Sequence, residues 1–232
     1  MADRHLGDDV EFPGGGGSGY LATAGEGAGL GVIVIHEIWG VAPHIRDVCD
    51  RFAAEGFTAL APDLFDGRTV SPGDTDEALK MVAELDMSHA AAVLSRAVDY
   101  LAGHDAVRGD GVGVVGFCIG GGMALWLATL RPDMVKAAVP FYGLRPRDVE
   151  PDWSKMQAAV EGHYAELDER NTPAAANELA ERLTDLGLDV RMFVYPGTKH
   201  AFFNDSRDDA YDEDAARQAW IRTLEFLRAK LG

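Results

Sequence analysis

Short apolar runs alternate along the chain with longer stretches that are apolar at helical spacing. The run "GVIVIHE" (31–37) is β-branched and continuously apolar, which predicts a central strand covered on both faces. It is followed by "HIRDVCDRFAAEGF" (44–57), where Ile45, Val48, Cys49, Phe52 and Ala53 fall on one side of a helix that stops near Gly56. "TALAPDLF" (58–65) is the next strand, closed by Pro62. From Thr75 to Leu101 the pattern is helical, with a break expected near Asp86. A strand "GVGVVGF" (111–117) then leads into a helix over 121–130. Further strands are expected within 135–143, 155–165 and 189–197, and amphipathic helices over 173–187 and 212–231. Alternation of this kind predicts an α/β fold with a mostly parallel central sheet and helices on both faces. Ligands on such a sheet bind beyond the carboxyl ends of the strands, so the loops after Phe117, Tyr164 and Tyr195 are the places to look for chemistry.

Residues 1–29 are glycine-rich, and within them "GYLATAGEGAG" reads as a strand and turn, expected at the sheet's edge. No repeat or second boundary appears, so residues 1–232 are read as one domain. No apolar run approaches the roughly 20 residues that span a bilayer, and the acidic start lacks a signal peptide's apolar core. A cytoplasmic protein is expected. The formal net charge of −17 argues against nucleic acid and anionic membrane as partners. Two cysteines without a CxxC pair suggest neither a disulfide framework nor a metal site. Neither metal nor cofactor is expected.

One of those cysteines stands in "VVGFCIGGGM" (114–123). Gly116 and Gly120 flank Cys118 with the spacing of a nucleophile elbow, and the required strand and helix stand on either side. The elbow places Cys118 at a helix N-terminus, where positive charge favours a thiolate, and frees the Ile119 N–H to hold an oxyanion. The competing reading is a small buried hydrophobe in a glycine-rich turn. Cys49, on the apolar face of its helix, is read that way. A nucleophile needs a base. His200, in "YPGTKHAFFND" directly after a strand, is placed where a base belongs, and His163 is read as having a packing or secondary role. The acid should lie in "GHYAELDERNTP", where Glu166 and Asp168 are not separated by composition. Upstream, "VIVIHEIWG" offers Glu37, close enough to control the thiol, and the Ile38 N–H as a second oxyanion donor. Glu37 in a salt bridge is the plainer alternative.

Taken together, "HEIWG" (36–40), "APDLF" (61–65), "GFCIGGG" (116–122), "PFYG" (140–143), "GHYAELDERNTP" (162–173) and "YPGTKHAFFND" (195–205) resemble the dienelactone hydrolase family of α/β-hydrolases, in family order and over nearly the whole chain. The resemblance implies a Cys118–His200–Asp168 triad, selecting Asp168 over Glu166. It also implies control of Cys118 by Glu37, and lactone or ester hydrolysis through an acyl-enzyme with a small-molecule substrate and no cofactor. In one respect the chain departs from the family. Of the two arginines that grip the dienelactone carboxylate, the first has no counterpart in "SPGDTDEALKMV", where Lys80 is the only cation, and the second is replaced by Asn204. Arg207 and Arg68 are the nearest substitutes. A general carboxylesterase for uncharged esters is therefore the alternative, and a catalytically silent binding protein a further one. Trp39, Phe65, Tyr142, Phe202 and Phe203 lie in or beside these loops and either form an apolar pocket or simply pack. Trp39, Tyr142, Phe202, Asn204 and Arg207 are taken as candidate substrate contacts, on a monomer or small homo-oligomer.

Overall fold

The computed structural model describes residues 6–13, 16–25 and 27–232. In chain order the elements are β1 (Asp8–Glu11), β2 (Ser18–Ala22), β3 (Gly29–Ile35), α1 (Pro43–Ala54), β4 (Phe57–Pro62), α2 (Thr75–Glu84), α3 (Met87–Ala102), β5 (Val107–Phe117), α4 (Ile119–Leu130), β6 (Val135–Phe141), β7 (Ala159–Ala165), α5 (Pro173–Asp185), β8 (Val190–Tyr195) and α6 (Glu213–Leu231). They build one eight-stranded sheet in the order β1-β2-β4-β3-β5-β6-β7-β8. The pairs β1/β2 and β2/β4 are antiparallel, and every other pair is parallel. This is the mostly parallel sheet that the alternating pattern predicts, in the arrangement that the family resemblance implies.

Burial on both faces explains the continuous apolar strands. In β3, Val32 and Val34 face a core shared with α1 and α6, while Ile33 and Ile35 face one shared with α3 and α4. In β5, Val115 and Phe117 take the first side and Val112 and Val114 the second. Each such side chain contributes roughly 1.5–3 kcal/mol on full burial. The five apolar positions of α1 are all buried, Cys49 among them. The long helical stretch breaks where expected. Leu85 turns extended, and the Asp86 side chain caps α3 by accepting from the N–H groups of Ser88 and His89.

At the amino end the structure differs from expectation. The strand within "GYLATAGEGAG" is β2, one position in from the border, and the edge strand is the acidic stretch Asp8–Glu11. With three exposed residues in four it carries no apolar alternation to give it away. Residues 1–5, 14, 15 and 26 of the glycine-rich segment lie outside the described residues. Among the described residues no helix is long and apolar enough to cross a membrane.

The topology also fixes where the site lies. The chain runs from β3 to β4 on one side of the sheet, then crosses β3 to reach β5. This reversal opens a crevice at the carboxyl ends of β3 and β5, the usual ligand position on open α/β sheets. Ile35 lies opposite Gly116 in the ladder, so Glu37 and Cys118 leave their strands side by side.

Candidate active site

Backbone geometry at the end of β5 requires its glycines. Cys118 sits at φ 55° and ψ −117°, a conformation that costs on the order of 1–3 kcal/mol for a side-chain-bearing residue. Its N–H donates to Phe141 O (3.1 Å), and its carbonyl accepts from Gly121 N (3.0 Å). A Cβ on Gly116 would strike the Gly120 carbonyl, one on Gly120 the Ile35 carbonyl, and one on Gly143 the Cys118 carbonyl. The turn is thus clamped by backbone on every side, and it holds Cys118 half-buried at the start of α4. Ile119 is the first residue of that helix, so its N–H has no partner within it.

The loop after β7 brings Asp168, not Glu166, to His200. Asp168 Oδ2 lies 2.6 Å from His200 Nδ1, and Oδ1 accepts from the N–H groups of Arg170 (2.9 Å) and Asn171 (3.0 Å). Glu166 instead accepts from Gly197 N (2.7 Å) and closes the neighbouring turn. Burial disfavours a charged His200. The Asp168 hydrogen bond, reinforced by the hydrogen bond and charge of Cys118, outweighs it and pushes the imidazole up to about 10. Burial opposes the Asp168 charge as well, but the His200 and backbone hydrogen bonds win and hold that carboxyl below its ordinary range. With Nδ1 engaged by Asp168, Nε2 is the ring nitrogen left for Cys118.

Glu37 is buried and forms no salt bridge among the described residues. Its Oε1 accepts from the Tyr142 hydroxyl (3.1 Å) and its Oε2 from the Asn204 side-chain amide. The Asn204 amide cannot be turned round, because its Oδ1 already accepts from Ser206 N (3.0 Å) and the Ser206 hydroxyl. Its Nδ2 only donates, which requires an acceptor at Glu37 Oε2. Both Glu37 oxygens are thus engaged as acceptors. Burial, and then the nearby Glu37, push the Tyr142 hydroxyl well above its ordinary range.

His36 orients the neighbouring peptide. Leu64 N donates to His36 Nε2 (3.2 Å), so the proton sits on Nδ1 and is given to the Glu37 carbonyl (2.6 Å). In a planar trans peptide the Ile38 N–H then points the opposite way, and no acceptor engages it among the described residues.

Cys118 and His200 open onto a cavity of about 860 Å³. Leu85, Met87, Ile119 and Met123 form an apolar wall, and Arg145, Arg147, Asp148, Glu150 and Arg170 form a charged one. None of the five candidate substrate contacts lines it. Trp39 packs with Ala42 and Ala78, Phe202 lies between Tyr142 and Tyr195, and Tyr142 and Asn204 are the partners of Glu37. Arg207 forms a two-pronged pair with Asp209 (2.8 Å each), although its charge is felt at Glu37 and Cys118. Phe65 and Phe203 are buried in the core. Arg68 pairs with Glu84 (2.8 Å) and Lys80 with Glu77 (3.0 Å). His163 stands within β7. It is buried between the Tyr195 hydroxyl (2.9 Å) and the Thr223 hydroxyl (3.1 Å), in a packing position away from the cavity.

The dienelactone hydrolase family model matches residues 18–231. The chain belongs to the dienelactone hydrolase family. "Protein usf" of Aquifex pyrophilus is 38% identical over 232 residues, covering 97% of this chain and all of the relative. An Aquifex aeolicus protein, whose name records an inferred carboxymethylenebutenolidase activity, is 33% identical with the same coverage. The crystal structure of a Klebsiella pneumoniae protein assigned as a dienelactone hydrolase has a TM-score of 0.83 and 28% identity, covering 96% of this chain and 98% of that one.

Two site residues of this dienelactone hydrolase family member escape a reading of the sequence. Asn171 donates through Nδ2 to the Tyr142 carbonyl (2.9 Å) and so ties the acid loop to the loop after β6. Ser206 fixes the Asn204 amide. An Asp-x-x-Asn turn signal over 168–171 is the only trace of the first. The second carries none.

Proposed function

We propose that the chain hydrolyses lactones or esters through a covalent acyl-enzyme on Cys118, with His200 as general base and acid and Asp168 orienting its ring. The observation that carries this reading is that His200, held by Asp168, and the strained Cys118 turn open onto one cavity. In the first half, the Cys118 thiolate attacks the substrate carbonyl carbon. The N–H groups of Ile38 and Ile119 stabilise the oxyanion. Collapse breaks the carbon–oxygen bond, and the leaving oxygen takes its proton from His200. In the second half, His200 removes a proton from water, which attacks the thioester and releases the acid and the Cys118 thiolate. Glu37 keeps a negative charge beside the thiol and governs its ionisation in the resting enzyme. The substrate is a small molecule, no cofactor takes part, and the enzyme works in the cytoplasm as a monomer or small homo-oligomer.

A second reading is a general carboxylesterase for uncharged esters. It is favoured by Asn204, which occupies the place of a substrate-binding arginine and is spent on Glu37. Both readings are tested by hydrolysis of a short 4-nitrophenyl ester and of a dienelactone. A Cys118→Ala variant as active as wild type excludes the proposed nucleophile. Turnover of the neutral ester with none of the lactone supports the second reading.

A further inference from the structure

Resting on the reading of the site as an ester hydrolase, we infer that Arg170 is a specificity-determining residue. It receives an anionic group at the far end of an amphiphilic ester, whose hydrocarbon part lies on the apolar wall. Three arginines line this cavity, on a chain whose formal net charge is −17. Two of them already face carboxylates. Arg147 pairs with Asp148 at 2.8 Å, and Arg145 faces Glu150 at 3.6 Å, with Arg182 on the other Glu150 oxygen at 3.1 Å. The Arg170 guanidinium has no carboxylate or carbonyl partner among the described residues. Its backbone, however, is fixed, since its N–H donates to Asp168 Oδ1 (2.9 Å). Arg170 thus stands on a fixed backbone two residues from the triad acid, exposed and with its five donors uncommitted, a fork suited to a carboxylate.

Asp168, which accepts from the Arg170 backbone N–H, is engaged by His200 and the loop backbone, and neither it nor Glu169 forms an ion pair with Arg170 among the described residues. Arg68, Lys80 and Arg207, the cations nearest the positions where a substrate-gripping arginine is missing, are each paired with a carboxylate. Elsewhere in the lining, Leu85, Met87, Ile119 and Met123 offer a surface that a carboxylate would avoid and an alkyl or alkenyl chain would cover. A volume of about 860 Å³ lies at the upper end of small-molecule sites and accommodates both parts at once.

The test compares mono-4-nitrophenyl adipate with 4-nitrophenyl hexanoate, two esters of equal acyl length that differ in the terminal carboxylate. The ratio of their kcat/KM values, anionic over neutral, is measured for wild type, Arg170→Gln and Arg170→Lys. The ratio is expected to fall at least tenfold in Arg170→Gln, to be largely kept in Arg170→Lys, and to shrink in wild type as salt screens the charge. A ratio in Arg170→Gln within twofold of wild type overturns the assignment. If neither ester is turned over, the hydrolase reading fails by itself, and calorimetric titration with monomethyl adipate still reads Arg170. There Arg170→Gln should weaken binding at least tenfold, and unchanged binding overturns the inference.

Discussion

Asn204 donates its side-chain amide to Glu37 while Ser206 holds the other end of that amide in place. The polarity of this chain of hydrogen bonds runs one way, and it makes unequal predictions for two isosteric substitutions. In Glu37→Gln, the new oxygen keeps the Asn204 bond, and the Tyr142 hydroxyl turns to accept from the new amide. The cost should stay below about 1 kcal/mol. In Asn204→Asp, a second carboxylate faces Glu37 in a buried site, and the cost should exceed about 2 kcal/mol. For a protein of this size that separates the melting temperatures by roughly 2–4 °C per kcal/mol. Thermal denaturation at pH 7 reads the order directly. A larger loss in Glu37→Gln than in Asn204→Asp would mean that the polarity is reversed.

The pull of Asp168 on His200 has its own signature. The imidazole is held up to about 10, so in wild type the ring should remain protonated well above pH 7. Asp168→Asn removes the largest of the interactions that raise it. The His200 proton should then be lost at a clearly lower pH, followed by NMR titration of the labelled ring. By analogy with other triads whose acid is neutralised, kcat should fall on the order of 10²- to 10⁴-fold without loss of the fold.

A buried polar group away from the site sets part of the pH dependence of stability. Glu161 is buried, and burial pushes its carboxyl up to about 7 against the opposing charges of Arg191 and Arg222. Its Oε1 has no hydrogen-bond partner among the described residues and lies 3.6 Å from His163 Nε2. His163, itself pushed down to about 3 by burial and then by the Arg222 charge, is neutral and contributes no counter-charge. A carboxyl raised on folding contributes stability that is complete below its unfolded value and lost as pH rises through about 7. Glu161→Gln should therefore melt a few degrees above wild type at pH 8, with a smaller difference at pH 5. An equal difference at both pH values would contradict this assignment.

Much of this was legible in the chain. The apolar strands of 31–37 and 111–117 fix the parallel sheet because both of their faces are covered, and Asp86 marks the helix break because its side chain caps α3. The elbow is legible because Gly116 and Gly120 meet backbone atoms where any Cβ would collide. Other features were not. Asp8–Glu11 joins the sheet by pairing with β2, and three of its four residues are exposed, so no apolar alternation marks it. Trp39, Tyr142 and Phe202 stand in site loops yet point into packing or toward Glu37, because sequence position does not give side-chain direction. Arg145, Arg147 and Arg170 reach the cavity from loops after two different strands, and only the folded sheet brings those loops together. The choice between Glu166 and Asp168 needed the family resemblance, since both are loop carboxylates two residues apart.

The role of Cys118 is tested most directly by trapping the intermediate. Wild type is mixed with 4-nitrophenyl acetate, quenched in acid within the first turnovers, and its peptides are weighed. The account predicts an acetyl group on the peptide containing Cys118, accompanied by a burst of 4-nitrophenol that Cys118→Ala lacks. An acetyl group on another residue, or turnover by Cys118→Ala at the wild-type rate, would contradict it.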